Sequence, residues 1–157
     1  MRSMEEHPFE NHEESYKTVI RQKIAEIDLD LEHRLASVKK FFSKDIVWHS
    51  PTQELKGHKA LRDYYVDMEN VFSNVRHDII HLYADGDTII NHYMITMKHK
   101  GDFMGIPATG KEVQFPMIEI NRFEDGKIKE IWTDYDSLYS MLTQMGAKLK
   151  YSEAVMS

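Results

Sequence analysis

Apolar residues recur at Ile20, Ile24, Ile27, Leu31, Leu35, Val38 and Phe42, at intervals of 4, 3, 4, 4, 3 and 4. That spacing is close to the helical period of about 3.6. The stripe predicts one helix, or two with a break near Asp28–Asp30, and marks a core face. Asp45-Ile46-Val47-Trp48-His49 predicts a short strand, stopped by Ser50-Pro51. Gly57 leads into a second helix over about 59–72, striped by Leu61, Tyr64/Tyr65, Met68 and Val71/Phe72. Four strands follow near 75–84, 87–99, 111–123 and 126–135, with Asp85-Gly86-Asp87 and Glu124-Asp125-Gly126-Lys127 as hairpin turns. The connection from Lys100 to Gly110 is longer and carries Gly101, Gly105, Pro107 and Gly110. A last amphipathic helix is expected over about 137–145, with Gly146 as its C-cap. Ahead of all this, Met1 to Glu14 is polar, acidic and without a period. It predicts a frayed or appended terminus in front of one domain over 15–157.

Helices followed by a run of antiparallel strands predict an α+β fold. Ile89, Tyr93, Ile95 and Met97 share a strand face with His99, and Ile90 and Met94 lie on the other. Both faces are apolar. Helices cover one, and a curled sheet or a second copy of the chain covers the other. Composition narrows the function. Hydrophobic residues make up 41% and charged residues 29% of 157, which excludes global disorder. No apolar run approaches the ~20 residues that span a bilayer, and the N-terminus lacks a signal-peptide core, so a cytoplasmic location is expected. The absence of cysteine excludes disulfides, thiolate nucleophiles and iron–sulfur clusters. A net charge of -6 with no basic face argues against nucleic acid. Ten methionines point to adaptable apolar surface in a core or a pocket.

Candidate chemistry is sparse. Gly105 to Lys111 has the glycine and lysine spacing of a phosphate-binding loop, but Glu112 and a strand follow where a hydroxyl residue and a helix are required. His77 and His81 have a zinc-like spacing for a helix, yet on a strand four residues span about 13 Å. On the last strand Ile128, Glu130, Trp132, Asp134 and Asp136 alternate, which predicts one shared face with the two aspartates about 6–7 Å apart. An aspartate beside an indole is a candidate proton-transfer group. Asp136 also stands where a helix N-cap belongs. Val113, Phe115, Met117, Glu119, Asn121 and Phe123 form the neighbouring row, in which Glu119 pairs with a cation, lines a polar cavity or meets solvent. Pro116 within that row suggests an edge or a bulge. No serine nucleophile motif is present.

The run from His99 to Lys111 and the run from Arg122 to Trp132, followed by Asp136 and by Gln144-Met145-Gly146, resemble the signature stretches of SnoaL-like polyketide cyclases. Asp45 to Pro51 and Gly57 fit the same pattern, so the resemblance covers about residues 40 to 147. It implies the cone-shaped α+β barrel of the nuclear transport factor two-like superfamily, shared with ketosteroid isomerase. In that fold a strongly curved, mostly antiparallel sheet wraps three helices around a pocket, and the outer face often forms an oligomer interface. A homodimer is therefore expected. Characterised cyclases of this family close a ring by intramolecular aldol condensation, with no metal or cofactor. The resemblance implies Asp136 as acid/base, by its spacing from Trp132, and His49 as a pocket-facing histidine. Glu119 stands where members frequently carry histidine, a departure that changes the proton-transfer groups. Trp132, Asp134, Trp48, Tyr64, Tyr65, His99 and Met117 are expected to line the substrate pocket, with Phe103, Met104 and Ile106 as a lid. The expected partner is a small polyketide-like carbonyl compound. The alternatives are isomerase-type chemistry in the same pocket and a non-catalytic ligand-binding or dimerisation module.

Overall fold

The opening apolar stripe folds as two helices, α1 (Pro8–Ile27) and α2 (Leu31–Phe41). The break comes where Asp30, in extended backbone, accepts the His33 N–H at 2.8 Å and caps α2. The computed structural model describes residues 8–133 and 136–148, with side chains over 12–133 and 137–148. Within that span α1 begins earlier than the periodless N-terminal stretch suggested. Proline is suited to a first helical position because its missing N–H has no partner there in any case. Glu13 on the first turns of α1 accepts the Gly86 N–H of a distant hairpin at 2.9 Å.

The remaining elements are β1 (Phe42–His49), β2 (Glu54–Lys56), α3 (Gly57–Val71), β3 (Phe72–Asp85), β4 (Thr88–His99), β5 (Glu112–Glu124), β6 (Lys127–Thr133) and α4 (Asp136–Gln144). The expected strands and helices are present within a few residues, and the three-residue β2 is added. The sheet order is β2-β1-β6-β5-β4-β3. Every pairing is antiparallel except β1 with β6. The fold is thus α+β with a mostly antiparallel sheet, but the cone stays open with β2 and β3 as its edges, and among the described residues four helices stand where the resemblance implies three. Asp125 and Gly126 both take positive φ, 52° and 76°, in the two-residue turn that joins β5 to β6. Positive φ at both central residues is the handedness that matches strand twist, and Asp-Gly tolerates it.

Strand parity explains which side chains face the helices. The β4–β5 register runs unbroken from Thr88↔Arg122 to Lys98↔Glu112, straight through Pro116. Pro116 is tolerated because β6 pairs with β5 only from Glu119 onward, so no N–H is required there. Beyond that point Gln144 of α4 takes the place of a strand, accepting the Gln114 N–H and donating to the Gln114 carbonyl, both at 2.8 Å. On β6 the register shifts by one residue, because Phe123 faces Ile128 while Arg122 faces Glu130. This bulge turns Ile131 and Thr133 inward and Glu130 and Trp132 outward.

Two apolar cores result. One joins Ile20, Val38, Phe42 and Leu61 of the helices and β1 to Ile89, Phe123, Ile128 and Ile131. The other joins Phe72, Tyr93, Ile95, Met97, Val113 and Phe115 to Met141 and Met145. At the junction of α3 with the loop after β4, Gly101 donates its N–H to the Val71 carbonyl at 3.0 Å. A Cβ there would stand 2.2 Å from the Asn70 carbonyl oxygen, which is why glycine is needed. Among the described residues no helix is long and apolar enough to cross a membrane.

Candidate active site

The inward faces of β3, β4 and β5, the face of α3 and the start of α4 enclose a cavity of about 370 Å³. Its walls are mostly apolar. Five of the ten methionines, Met68, Met97, Met104, Met117 and Met141, contribute to them with Phe72, Ile95, Phe103 and Phe115. Trp48 and Tyr64 meet edge to face, with ring centroids 5.0 Å apart. The Trp48 Nε1–H donates to Thr133 Oγ1 at 3.2 Å, and that hydroxyl donates to the His49 carbonyl at the same distance. Phe103 and Met104 sit on a tight turn closed by two backbone hydrogen bonds between Phe103 and Ile106, at 2.9 and 2.8 Å.

One corner of the cavity is polar. Glu119, on the inward face of β5, is 6% exposed, and the α1 residue Lys23 beside it is 4% exposed. Lys23 Nζ donates to Glu119 Oε1 at 3.1 Å, and the Tyr93 hydroxyl donates to Glu119 Oε2 at 3.3 Å. Burial pushes the Glu119 carboxyl up. The charge and hydrogen bond of Lys23, with His77 and Asn121, outweigh it and hold the carboxyl below its ordinary value. The phenols move the other way. Burial first, and the Glu119 charge second, push Tyr64 up to about 12. The same two causes raise Tyr65 and Tyr93 further. All three therefore keep their protons and can donate hydrogen bonds at neutral pH. His77 also lines the cavity, and its ring lies 5.2 Å from that of Tyr93.

The structure gathers Glu119, Trp48, Tyr64, Tyr65, Phe103, Met104 and Met117 around this cavity, as the sequence leads one to expect. Several expected neighbours lie elsewhere. The β6 bulge places Trp132 on the outer sheet face, 38% exposed, stacked on His49 with centroids 5.5 Å apart. His49 shares that outer face, where its Nε2 meets Glu130 at 2.7 Å and its Nδ1 meets Glu54 at 3.3 Å. The His49 hydrogen bond, with Arg122 nearby, holds the Glu130 carboxyl below its ordinary value. His99 has the inward parity but sits at the end of β4, buried under the following loop. There its Nδ1 meets Thr109 Oγ1 at 2.9 Å. Ile106 packs into the second core beside Phe103 rather than lining the cavity. Asp134 lies outside the described residues. So does the side chain of Asp136, which opens α4 directly before the cavity residues Ser137 and Leu138. The pair His77 and His81 is split by a bulge between Ile79 and His81, and His81 turns outward to His92. Among the described residues no group of three or more histidine or acidic side chains is placed to hold a metal.

Sequence reasoning gave no pocket role to Lys23, His77 or Tyr93. Tyr93 was legible from its place in the apolar row of β4. Lys23 interrupts the stripe of Ile20, Ile24 and Ile27, a lysine on a core face. His77 entered only as half of a zinc-like pair, because the bulges of β3 obscure its parity.

The sequence model of the SnoaL-like polyketide cyclase family matches residues 20–145. The chain is 30% identical over 97 residues to aklanonic acid methyl ester cyclase DnrD of Streptomyces peucetius, across 60% of this chain and 66% of that protein. Aklanonic acid methyl ester cyclase DauD of Streptomyces sp. (strain C5) is 30% identical over 97 residues, across 60% of this chain and 59% of DauD. In both cases the chain covers less than two thirds of the relative's length. The solved structure of TsrD from Streptomyces laurentii is similar in fold, with a TM-score of 0.74 at 20% identity, covering 86% of this chain and 97% of TsrD.

Proposed function

The chain belongs to the SnoaL-like polyketide cyclase family, and on that premise we propose that it is a cofactor-independent acid/base enzyme closing a ring in a small polyketide-like carbonyl compound. The observation that carries the reading is the apolar cavity of about 370 Å³ with one polar corner, where ionised Glu119 meets protonated Tyr93. An intramolecular aldol condensation asks for little else. A base removes a proton from a carbon flanked by carbonyls, the enolate carbon attacks a second carbonyl carbon, and the alkoxide takes a proton. The product has the composition of the substrate. Asp136 is the base that the family resemblance implies. The hydroxyls of Tyr64 and Tyr65 donate to the developing enolate oxygen, while the one proton of Tyr93 is held by Glu119. Apolar walls exclude water and strengthen those hydrogen bonds. Glu119, anchored by Lys23, helps keep the phenols protonated.

Aklanonic acid methyl ester, the compound in the names of two relatives, is the first substrate to test. Incubation with the purified protein should give an isomer of equal mass and shifted retention on chromatography. Asp136→Asn should lower the rate by a factor of ~10² or more, and Tyr64→Phe by about 10². Binding of the ester without any isomer formed would replace the enzyme by a ligand-binding module.

A further inference from the structure

We propose that the cavity holds a second acid/base device, the Asp28–His77 pair, in which His77 Nε2 exchanges a proton with a bound carbonyl compound and Asp28 is its positioning residue. The inference rests on the reading of the cavity as a carbonyl-binding site. Asp28 lies in the turn between α1 and α2, and His77 on the inward face of β3, 49 residues away. Asp28 Oδ1 meets His77 Nδ1 at 2.5 Å, and Asp28 Oδ2 accepts the His77 backbone N–H at 2.8 Å. One carboxylate therefore holds both the ring and the strand that carries it. Both side chains are mostly buried, at 13% and 17% exposed. A carboxylate on Nδ1 fixes the tautomer in which that nitrogen carries the proton. Nε2 then carries the lone pair, on a residue that lines the cavity.

The arrangement answers a need of the reaction. An aldol closure removes a proton from carbon and returns one to oxygen. A neutral imidazole nitrogen can take a proton, and the imidazolium can give it back to oxygen. Once Asp136 has moved the carbon proton to the enol oxygen, Nε2 takes the enol O–H proton, and the enolate so released attacks the second carbonyl carbon. The imidazolium so formed lies against the Asp28 carboxylate, with Glu119 close enough for the two charges to interact. The same proton then passes to the alkoxide. Among the described residues, the ionisable groups at this end of the cavity are Asp28 from the turn, Arg34 from α2, Tyr93 from β4 and Glu119 from β5 with its partner Lys23 from α1, and the α3 phenols Tyr64 and Tyr65.

The test uses 5-nitrobenzisoxazole, an apolar probe that reports any base in a cavity. Loss of its C3 proton breaks the N–O bond and releases a coloured cyanophenolate. With the full chain, the rate should rise between about pH 5 and about pH 8 through the imidazole range. His77→Gln should lose that rise and fall by about 10² at the upper end. Asp28→Asn should lower the plateau and displace the inflection, whereas His92→Gln, on the outer face, should leave both unchanged. A wild-type rate that is flat across this range, or one equal to that of His77→Gln, overturns the proposal. Nitrogen-15 spectra of the unmutated protein provide a check that no folding defect can confuse. They should show His77 protonated at Nδ1 and bare at Nε2, and the opposite tautomer overturns the proposal. The two readings fail separately. A chain that leaves aklanonic acid methyl ester unchanged but keeps the His77-dependent profile loses the cyclase assignment and retains the dyad. A chain that cyclises the ester at full rate as His77→Gln loses only the dyad.

Discussion

Glu119 and Lys23 show what a buried charge asks of its surroundings. Neither can be left alone at this depth, so removing either partner should cost about 3–5 kcal/mol. Urea unfolding should show that loss in Glu119→Leu and in Lys23→Met. The double variant Lys23→Met/Glu119→Leu should recover much of it, because two apolar side chains leave no unpaired charge. The pair also ties stability to pH. The folded-state carboxyl lies below its ordinary 4.5. Its contribution is therefore fully present above that value and is lost as pH falls through the lower folded-state value. Unfolding free energies measured at neutral pH and at about pH 3 should differ less in Glu119→Gln than in wild type.

At the scale of elements, the extra residue in β6 decides which side chains reach the cavity. Trp132→Ala removes an indole from the outer face, where it stacks on His49. Binding of a cavity ligand should change by less than about twofold, since no wall is touched. Trp48→Ala removes a wall and the hydrogen bond to Thr133, and should weaken the same binding by about tenfold or more. Calorimetric titration with one ligand compares the two directly. Gly101 poses the opposite constraint. Alanine there has no room beside the Asn70 carbonyl, so Gly101→Ala should destabilise by about 1–3 kcal/mol, read as a lowered midpoint in thermal unfolding.

At the scale of the molecule, the two cores divide the labour. The first packs α1, α2 and α3 against the sheet and lends Trp48, Tyr64 and Tyr65 to the cavity wall. The second surrounds the cavity and is completed by α4 and the loop after β4. A ligand filling the cavity should act on the second. At about 100 times its dissociation constant it adds about 2.7 kcal/mol, which raises the melting temperature of a chain this size by roughly 5–10 °C. Hydrogen exchange should be slowest in β5 and β6, the central pairing, and fast in the edge strand β2. Added ligand should slow exchange selectively around Phe103 to Ile106 and in α4.

Much of this architecture is local chemistry written along the chain. The 3.6-residue stripe, the Asp-Gly turn before β6, the inward row of β4 and β5, and the cap that divides α1 from α2 each depend on residues within a few positions of one another. Those features were legible, and with them seven residues of the cavity lining. The family resemblance followed from the same short motifs. What distant surfaces meet was not legible. Glu119 finds Lys23 across 96 residues, and Asp28 finds His77 across 49. Alternation alone predicted the wrong face for Trp132, because a bulge answers to the curvature of the sheet and leaves no mark in a seven-residue strand. His49 went with it, since its neighbour across the β1–β6 pairing is Trp132. The sequence by itself determined the elements and the apolar faces they had to bury, because period and propensity act over a few residues. Only the tertiary structure decided which charges pair and which side of β6 looks inward, because those depend on how the faces come together.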